Sequence, residues 1–469
     1  MIRRTKIVCT IGPASDSEDM IARLIAAGMN VARLNFSHGT PEYQRDLVRK
    51  VKRVRKALNK PVAILQDLQG PKIRIGIIGN GVVQLQPGQD FTLTTGTVQG
   101  DARRASVSLK TMVDDVKAGH PILLADGNIE LRVEKIAGPD IHCRVIVGGP
   151  LSSHKGVNLP ASEVHVESLT PKDRQDIVIG LEEGVDAIAL SFVRKAADIL
   201  ACREILEGHG GKIPIVAKIE KHAAVDNIDS IVAVSQAVMV ARGDLGVEID
   251  LEKVPLVQKA IIHKCNALGK PVITATQMLL HMVDNPRPTR AEVNDVANAI
   301  LDGADAVMLS EETAAGKYPA EAVMMMDRIA RAAEDSLDTL KFENLPVEPV
   351  TEDAISSSSY FIAKEVGAAA IITPTWSGST ASRVSRFRPL MPVIATTPNE
   401  ATLDFLSLCW GVIPLSIPSA DTMDDMIRFS IDAARRAGHI EPGQHVVITG
   451  GAPLHVAGKT NFIKVETVE

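Results

Sequence analysis

Eight short apolar runs recur along this chain, at 5–12, 30–37, 61–68, 187–193, 213–220, 237–244, 271–278 and 306–310. Each is long enough for a strand and too short for a buried helix. The runs barely alternate, as strands covered on both faces do. Seven pass directly into an amphipathic stretch. In 255–268, for example, Val257, Ile261, Ile262 and Leu268 are spaced for one helical face. Two such stretches open with cap chemistry, Ser15-Asp16 before 17–28 and Thr170-Pro171 before 172–183. Eight β-then-α units predict an α/β fold built on a (β/α)8 TIM barrel, whose active site lies at the C-terminal ends of the strands. The polar residues of the runs sit at those ends.

The third unit is interrupted. Between 69 and 166 the pattern changes to short alternating strands near 82–85, 91–93, 121–124 and 141–145, punctuated by Gly and Pro. This reads as a small β-barrel domain inserted after strand 3. Because it leaves the barrel at its catalytic end, it is placed to act as a lid. A long helix at 319–339 and a linker at 344–350 lead to a second α/β region. Its strands near 368–373, 392–396, 412–417 and 445–449 suggest an open sheet of its own. The predicted division is 1–68 with 167–343 for the barrel, 69–166 for the inserted lid and 344–469 for the C-terminal domain. The length, 469 residues, suits three domains. With 45% hydrophobic residues but 3% aromatics, their cores are expected to be built from Val, Ile, Leu, Ala and Met.

A net charge of −6, from 51 basic and 57 acidic residues, argues against nucleic acid as a partner. No apolar run approaches the ~20 residues that span a bilayer, and the N-terminal stretch lacks the apolar segment of a signal peptide. Cys9, Cys143, Cys202, Cys265 and Cys409 are scattered, without metal-ligand spacing. They read as reduced, buried thiols of a cytoplasmic protein.

The chemistry concentrates in two neighbouring runs, Ile-Pro-Ile-Val-Ala-Lys-Ile-Glu (213–220) and Ala-Val-Met-Val-Ala-Arg-Gly-Asp (237–244). Lys218 and Glu220 are two apart and share one side of a strand. If the two strands are adjacent, Glu220 and Asp244 converge on one divalent cation, and an oxygen-only ligand pair favours Mg²⁺ or Mn²⁺. Arg33, Asn35 and Ser37 alternate along strand 2 and so also face one side. An arginine at a strand end suits bidentate binding of phosphate oxygens. In the C-terminal region, Thr375-Trp376-Ser377-Gly378-Ser379-Thr380 joins a strand to a helix, and its amides and hydroxyls suit a phosphate.

These strings, in this order, make the chain resemble the pyruvate kinase family from Thr5 to the C-terminus. The matching segments are TKIVCTIGPAS (5–15), MNVARLNFSHG (29–39), GVNLP (156–160), MVARGDLGVEI (239–249), PVITATQM (271–278) and NPRPTR (285–290), together with 215–220. The resemblance implies transfer of the phosphoryl group of phosphoenolpyruvate to ADP, giving pyruvate and ATP, by a homotetramer. It assigns Mg²⁺ (or Mn²⁺) to Glu220 and Asp244, and places Lys218 and Arg33 at the transferring phosphoryl group. The substrate carboxylate falls to the backbone at Gly243 and Asp244 and to Thr276, which could also join a water relay to the enolate carbon. Ser191 and Ser310 either order this water or fill the barrel end. The nucleotide is assigned to Arg74, Lys155, His38 and Asn35. The cradle Thr375, Ser377, Gly378, Ser379 and Thr380 becomes a site for a phosphorylated effector.

Two departures bear on this assignment. Where many members have Asp-Thr-Lys-Gly-Pro-Glu and need K⁺ beside the phosphate, this chain reads Asp67-Leu68-Gln69-Gly70-Pro71-Lys72. An ammonium at Lys72 supplies the charge of K⁺ and repels a second monovalent cation. The expectation is therefore a bacterial-type, K⁺-independent subgroup, with Asn35, Ser37, Asp67 and Lys72 forming the monovalent site or its substitute. The turn Gly450-Gly451-Ala452-Pro453 lacks the Trp-Arg pair of forms activated by fructose 1,6-bisphosphate, which points to AMP or a sugar monophosphate. Glu311 adds an acid where the family has Gly or Ala, and Lys221-His222 stand where it has Asn and a small residue. Two other readings share the architecture: a Mg²⁺-dependent pyruvate or phosphoenolpyruvate lyase, and a non-catalytic phosphometabolite sensor. The first needs no basic lid, and the second predicts a lost ligand among Lys218, Glu220, Asp244 and Thr276, all of which are present.

Overall fold

Strand Lys6–Ile11 pairs in parallel with both Val31–Asn35 and Ala306–Leu309, and that double pairing closes an eight-stranded barrel. The other members, in chain order, are Ala63–Asp67, Ala187–Leu190, Ile215–Ile219, Ala237–Ala241 and Val272–Ala275. The computed structural model describes residues 3–469 except 80, 161, 163–165, 338, 347 and 457. Alternation sorts the strand residues into two cores. Ile7, Cys9 and Ile11 pack outward against the helices, while Val8, Val31, Leu65, Ala189, Val216 and Met239 fill the interior. Continuing each inward series toward the C-terminal end gives Thr10, Arg33, Asp67, Ser191, Lys218 and Glu220. A barrel packed with small aliphatic layers thus carries one polar layer at its mouth.

The third and fourth strands are neighbours, with Asp67 opposite Ala189, although the inserted β unit separates them in sequence. Among its described residues that unit has eight strands around its own apolar core rather than the four expected. Six form one sheet, in the order Val157–Asn158, Pro121–Leu124, Ile129–Ala137, Asp140–Val147, Asp90–Thr94, Arg104–Ser106, and Val82–Leu85 pairs with Gly149–Ser152 as a ribbon. Positions 161 and 163–165, at its return to the barrel, lie outside the described residues. The C-terminal sheet has five strands: Val412–Ser416, Val393–Thr397, Ala370–Pro374, His445–Gly450 and Phe462–Thr467. The last was not expected. It is an antiparallel edge strand, half exposed, so it has no continuous apolar run to read.

Several expected boundaries move. The run 187–193 is strand only to Leu190, and 237–244 is strand only to Ala241, where helix Arg242–Glu248 begins. The cap of the first helix is Ser17, accepting from Met20 N, rather than Ser15 or Asp16. The expected cap at Thr170 does form, as a capping box with Asp173. The helix expected over 319–339 ends at Glu334, and Leu340–Glu343 forms a separate turn. Positions 338, in that helix, and 347, in the linker, lie outside the described residues. All five cysteines are free and buried. Among the described residues no helix is long and apolar enough to cross a membrane.

Phe405 and Leu408 of the C-terminal region join the interior core, plugging the barrel at the end opposite the mouth. Beside the plug, Arg55 is shared by two buried acids, Asp186 at 2.6 Å and Asp404 at 3.1 Å. One guanidinium does not neutralise both. Burial and the Asp186 charge, opposed by Arg55, raise the Asp404 carboxyl to about 7, while Glu400 adds further repulsion. A raised carboxyl means that the folded state holds its proton more tightly than the unfolded chain. Its contribution is therefore fully present at low pH and is lost as pH rises through about 7. In Asp404→Asn, the thermal midpoint relative to the unaltered protein is expected to be higher at pH 8 than at pH 5.5. A difference independent of pH would exclude the shared-acid account.

Candidate active site

The polar layer is organised by one carboxylate. Asp67, 1% exposed, accepts from Arg33 Nε at 2.6 Å through Oδ2, and its Oδ1 lies 3.1 Å from Lys218 Nζ. Lys218 also donates to Ser191 Oγ at 2.6 Å and stands 3.4 Å from Glu220 Oε2. Ser191 Oγ donates to Leu68 O at 2.7 Å, and Glu220 Oε1 accepts from Phe192 N at 2.6 Å. Arg33 Nη1 reaches Thr10 Oγ1 at 2.9 Å. The strand pairing explains this convergence: the second, third, fourth and fifth strands are consecutive neighbours, so their inward side chains meet above the last apolar layer.

Charge balance decides the protonation states. Burial disfavours the Lys218 ammonium, but Asp67, Glu220 and Asp244 outweigh it and hold the group above the ordinary lysine range. Lys218 thus sits chiefly among anions, with Arg33 as the opposing cation. Burial alone would raise Asp67, yet Lys218 and Arg33 bring it below the usual carboxylate range. Burial pushes Glu220 up, against Lys218 and with help from Asp244. Of the two expected metal ligands, Glu220 is buried on the fifth strand and Asp244 is exposed in the first turn of helix Arg242–Glu248. No ion pair engages Asp244 among the described residues. Its free carboxylate and the remaining oxygen of Glu220 are all-oxygen donors, which fit a hard divalent ion that completes its shell with water and substrate.

Thr276 follows the seventh strand with φ 70, and Gln277 with φ 56. A β-branched residue in that region is strained and needs surroundings that over-determine it. Arg242 supplies them. Its Nε and Nη2 donate to Ala275 O and Thr276 O at 3.2 and 2.7 Å, while Nη1 is held by Asp295 at 2.7 Å. Thr276 Oγ1 donates to Ala275 O at 2.6 Å and accepts from Gly243 N at 2.8 Å. The Gly243 amide, expected to be open to a carboxylate, is therefore already used. The sequence reading missed Arg242 and Asp295, although Arg242 lies inside the MVARGD string.

Strand 2 ends at Asn35, so Ser37 lies in a turn, where its amide donates to Asn35 Oδ1 at 3.1 Å. Asp67 of the expected monovalent site is already taken by Arg33 and Lys218. Lys72 is exposed and without an ion pair among the described residues, and Asp67 is not its partner. It is close enough to act on His38, which burial, Lys72, Arg74 and Arg33 push below the usual histidine range. Arg74 and Lys155 are brought together: Arg74 bridges Gly156, Ile75 N donates to Lys155 O at 2.9 Å, and Arg74 Nη1 donates to His154 O at 3.0 Å. The chain leaves the barrel at Gly70, whose φ of +68 and 2.5 Å clearance from the Phe192 ring exclude a side chain. Across the cleft, Asn158 of the inserted unit donates to Glu248 Oε1 at 3.3 Å, and Lys221 binds the same oxygen at 2.6 Å. Ser310 Oγ is buried without a partner, and Glu311 is exposed on the following turn.

In the C-terminal domain Thr375, Ser377, Ser379 and Thr380 of the expected cradle line an open cavity. Gly378 adopts φ 85 and donates to Thr375 Oγ1 at 3.0 Å, and Ser377 Oγ lies 3.2 Å from Ser379 Oγ. Thr380 is buried and bonded to Thr460 at 2.7 Å. Trp376, His455 and Lys459 complete the wall, and the last two were not anticipated.

The family profile described as pyruvate kinase, barrel domain, matches residues 2–323, and that of the pyruvate kinase alpha/beta domain matches 353–466. The chain belongs to the pyruvate kinase family. It is 47% identical to a pyruvate kinase of Clostridium acetobutylicum over 473 residues, covering all of both chains. It is 49% identical to one of Geobacillus stearothermophilus, covering all of this chain and 81% of that one. The crystal structure of a pyruvate kinase from Cryptosporidium parvum superposes with TM-score 0.94 at 37% identity, over 100% of this chain and 96% of the other. The pyruvate kinase resemblance read from the sequence is thereby established, and the lyase and sensor readings lose their ground.

Among the described residues Asp67 is the one acid that holds both cations of the mouth, buried Lys218 and nearly buried Arg33. Asp67→Asn is expected to lower stability by about 3 kcal/mol, as removal of one partner from a buried ionic cluster does. The urea unfolding midpoint measures this, and an unchanged midpoint would contradict the central place given to Asp67.

Proposed function

We propose that the barrel mouth transfers the phosphoryl group of phosphoenolpyruvate to ADP, giving pyruvate and ATP, with Mg²⁺ (or Mn²⁺) and without K⁺. The supporting observation is the Arg33–Asp67–Lys218–Glu220 cluster, which fixes two cations beside a pair of carboxylates in a buried layer. Phosphoryl transfer is catalysed chiefly by placed charge. Lys218, kept protonated by its acids, serves as fixed positive charge rather than as a base. Arg33 keeps Nη2 for a phosphate oxygen while Asp67 and Thr10 hold its other nitrogens. Glu220 and Asp244 would hold the divalent ion, which when bound supplies Lewis-acid charge to substrate oxygens.

Thr276 commits its own proton to Ala275 O, so it orients the substrate carboxylate or a water and is not itself the acid. With Gly243 N engaged, substrate must either exchange with Thr276 or use the following amides. Arg74, Lys155, His38 and Asn35 take the nucleotide, and the inserted unit closes over it as a lid. In this reading the domains run 1–68 with 167–343, 69–166 and 344–469, in a cytoplasmic homotetramer whose mass in solution is the check. Lys72 contributes the charge that K⁺ supplies elsewhere, acting at the mouth from an exposed position.

The decisive assay is ATP formation from phosphoenolpyruvate, ADP and Mg²⁺, with and without K⁺ at constant ionic strength. Equal rates are expected, and Lys218→Met should lower kcat by about 10²–10³. Activity that requires K⁺ would overturn the role of Lys72, and absence of ATP formation would overturn the site assignment.

The cavity around Thr375, Ser377, Gly378, Ser379 and Thr380 takes a monophosphate, AMP or a sugar monophosphate, as effector. Its support is a loop of amides and hydroxyls with the cation Lys459 in the wall. Activation by such a ligand is expected to vanish in Ser379→Asp with the basal rate unchanged. Retained activation would place the effector elsewhere.

A further inference from the structure

The C-terminal domain meets the barrel through a joint rich in buried cations. Helix Ser379–Ser385 runs into Arg386 and Arg388, 2% and 1% exposed, and both reach across to the barrel. Arg386 Nη1 donates to Ala267 O at 2.8 Å. Arg388 donates to Asp305 Oδ1 and Asn266 Oδ1, each at 2.9 Å, and to Gly303 O at 2.6 Å. Arg388 does so from a backbone φ of 50, strained for a side chain of its size.

The donors of these two guanidinium groups are not all used. Nε of Arg386 and Nε of Arg388 are buried without a hydrogen bond among the described residues. Arg386 Nη2 lies 3.1 Å from Asp353 Oδ2 but lacks a hydrogen bond's alignment. A buried N–H left unpaired costs about 1–3 kcal/mol, and more on a charged group. Three such donors on adjacent arginines call for an acceptor.

Both arginines line one small cavity, together with Lys270, Asp305, Ser382 and Ser385. Three of its charged residues are cations and one is an acid. That acid is already engaged by three donors: Asp305 Oδ1 accepts from Arg388 and Trp410 N, and Oδ2 from Val272 N. Asp353 is divided between Arg383 and Arg386. Lys270 has only the neutral Ser235 O. Ser385 donates to Trp410 O, and Ser382 pairs with Cys409 Sγ. Burial, then the neighbouring Arg383, press both Arg386, to about 10, and Lys270 toward losing their charge. The joint lacks negative charge, not further donors.

We propose that this cavity binds one small inorganic monoanion of the halide class, chloride in the cell, held by the unpaired N–H groups of Arg386 and Arg388. Size sets the class, since the space takes a single water-sized occupant and excludes a phosphate with its hydration. Charge separates the anion from water. A water would answer the N–H groups but would leave the surplus positive charge unchanged. The ion would fasten the end of the effector-loop helix to the barrel loops at Asn266 and Gly303.

The test uses the unaltered full-length protein. Crystals grown with bromide in place of chloride are expected to show an anomalous peak between Arg386 and Arg388, and a water-sized peak without anomalous signal overturns the site. At constant ionic strength, the thermal midpoint should be about 2 °C or more higher in chloride or bromide than in gluconate, and this increment should vanish in Arg386→Met. Equal midpoints of the unaltered protein in the two salts, even with a bromide peak, would mean an adventitious ion only and would overturn the proposal.

Discussion

Arg33 and Lys218 can be buried at the barrel mouth because Asp67 faces both. Two cations taken out of water are costly unless their charge is answered nearby. Asp67 answers from a strand that pairs with the Arg33 strand on one side and the Ser191 strand on the other. The same arrangement fixes where every other mouth residue can stand. Lys218, drawn to Asp67, carries Ser191 into position, and Glu220 is left with one oxygen turned to Phe192 N and the other beside the ammonium. The apolar interior beneath this layer supports it, since packed aliphatic side chains admit no water to replace the ionic contacts.

This layer was legible because of a property of buried parallel strands. A run covered on both faces has no polar residues except where it emerges, so each polar residue marks a strand end. Arg33, Lys218 and Glu220 were found that way, whereas Asp67 was reached through the family resemblance, as part of the monovalent-cation site. Asp244 was assigned to a strand end for the same reason and is instead on a helix. Arg242–Glu248 is seven residues long, too short to show helical periodicity, and it follows its strand without a loop. The contacts of Gly243 and Arg242 were illegible for a different reason. Their partners, Thr276 and Asp295, lie on the next β/α unit, and no local pattern reports a hydrogen bond that depends on how two loops meet. Phe462–Thr467 escaped because an edge strand exposed along one side has neither a continuous nor a clean alternating pattern.

The strained turn at Thr276 shows how the fold holds a conformation that its own residues disfavour. Positive φ at two successive non-glycine residues costs of order 1–3 kcal/mol each. Arg242 opposes that cost from one side by gripping both carbonyls, and Gly243 N from the other by seating the hydroxyl. Because the strain is held by a charged side chain anchored on Asp295, the turn is set before any ligand arrives. Such preorganisation is what a site working through placed charge and oriented hydroxyls requires.

The two ends of the barrel are joined by the seventh strand. Asp305, which takes Arg388 from the C-terminal domain, also fixes Val272 N at the start of that strand, and the strand ends in the Thr276 turn. Helix Ser379–Ser385 completes the line, from the hydroxyl loop at Ser377 to the arginines at its far end. Rigid continuity alone transmits nothing, because coupling requires an element with two arrangements that both sites bias. Most of this line is apolar core or saturated hydrogen bonds and has no second arrangement to offer. The arginine joint differs in having unpaired donors, unbalanced charge and a cavity at one place. Any adjustment between the C-terminal domain and the barrel is therefore easiest there, where a change of charge or of hydrogen-bond partner requires no repacking of aliphatic side chains.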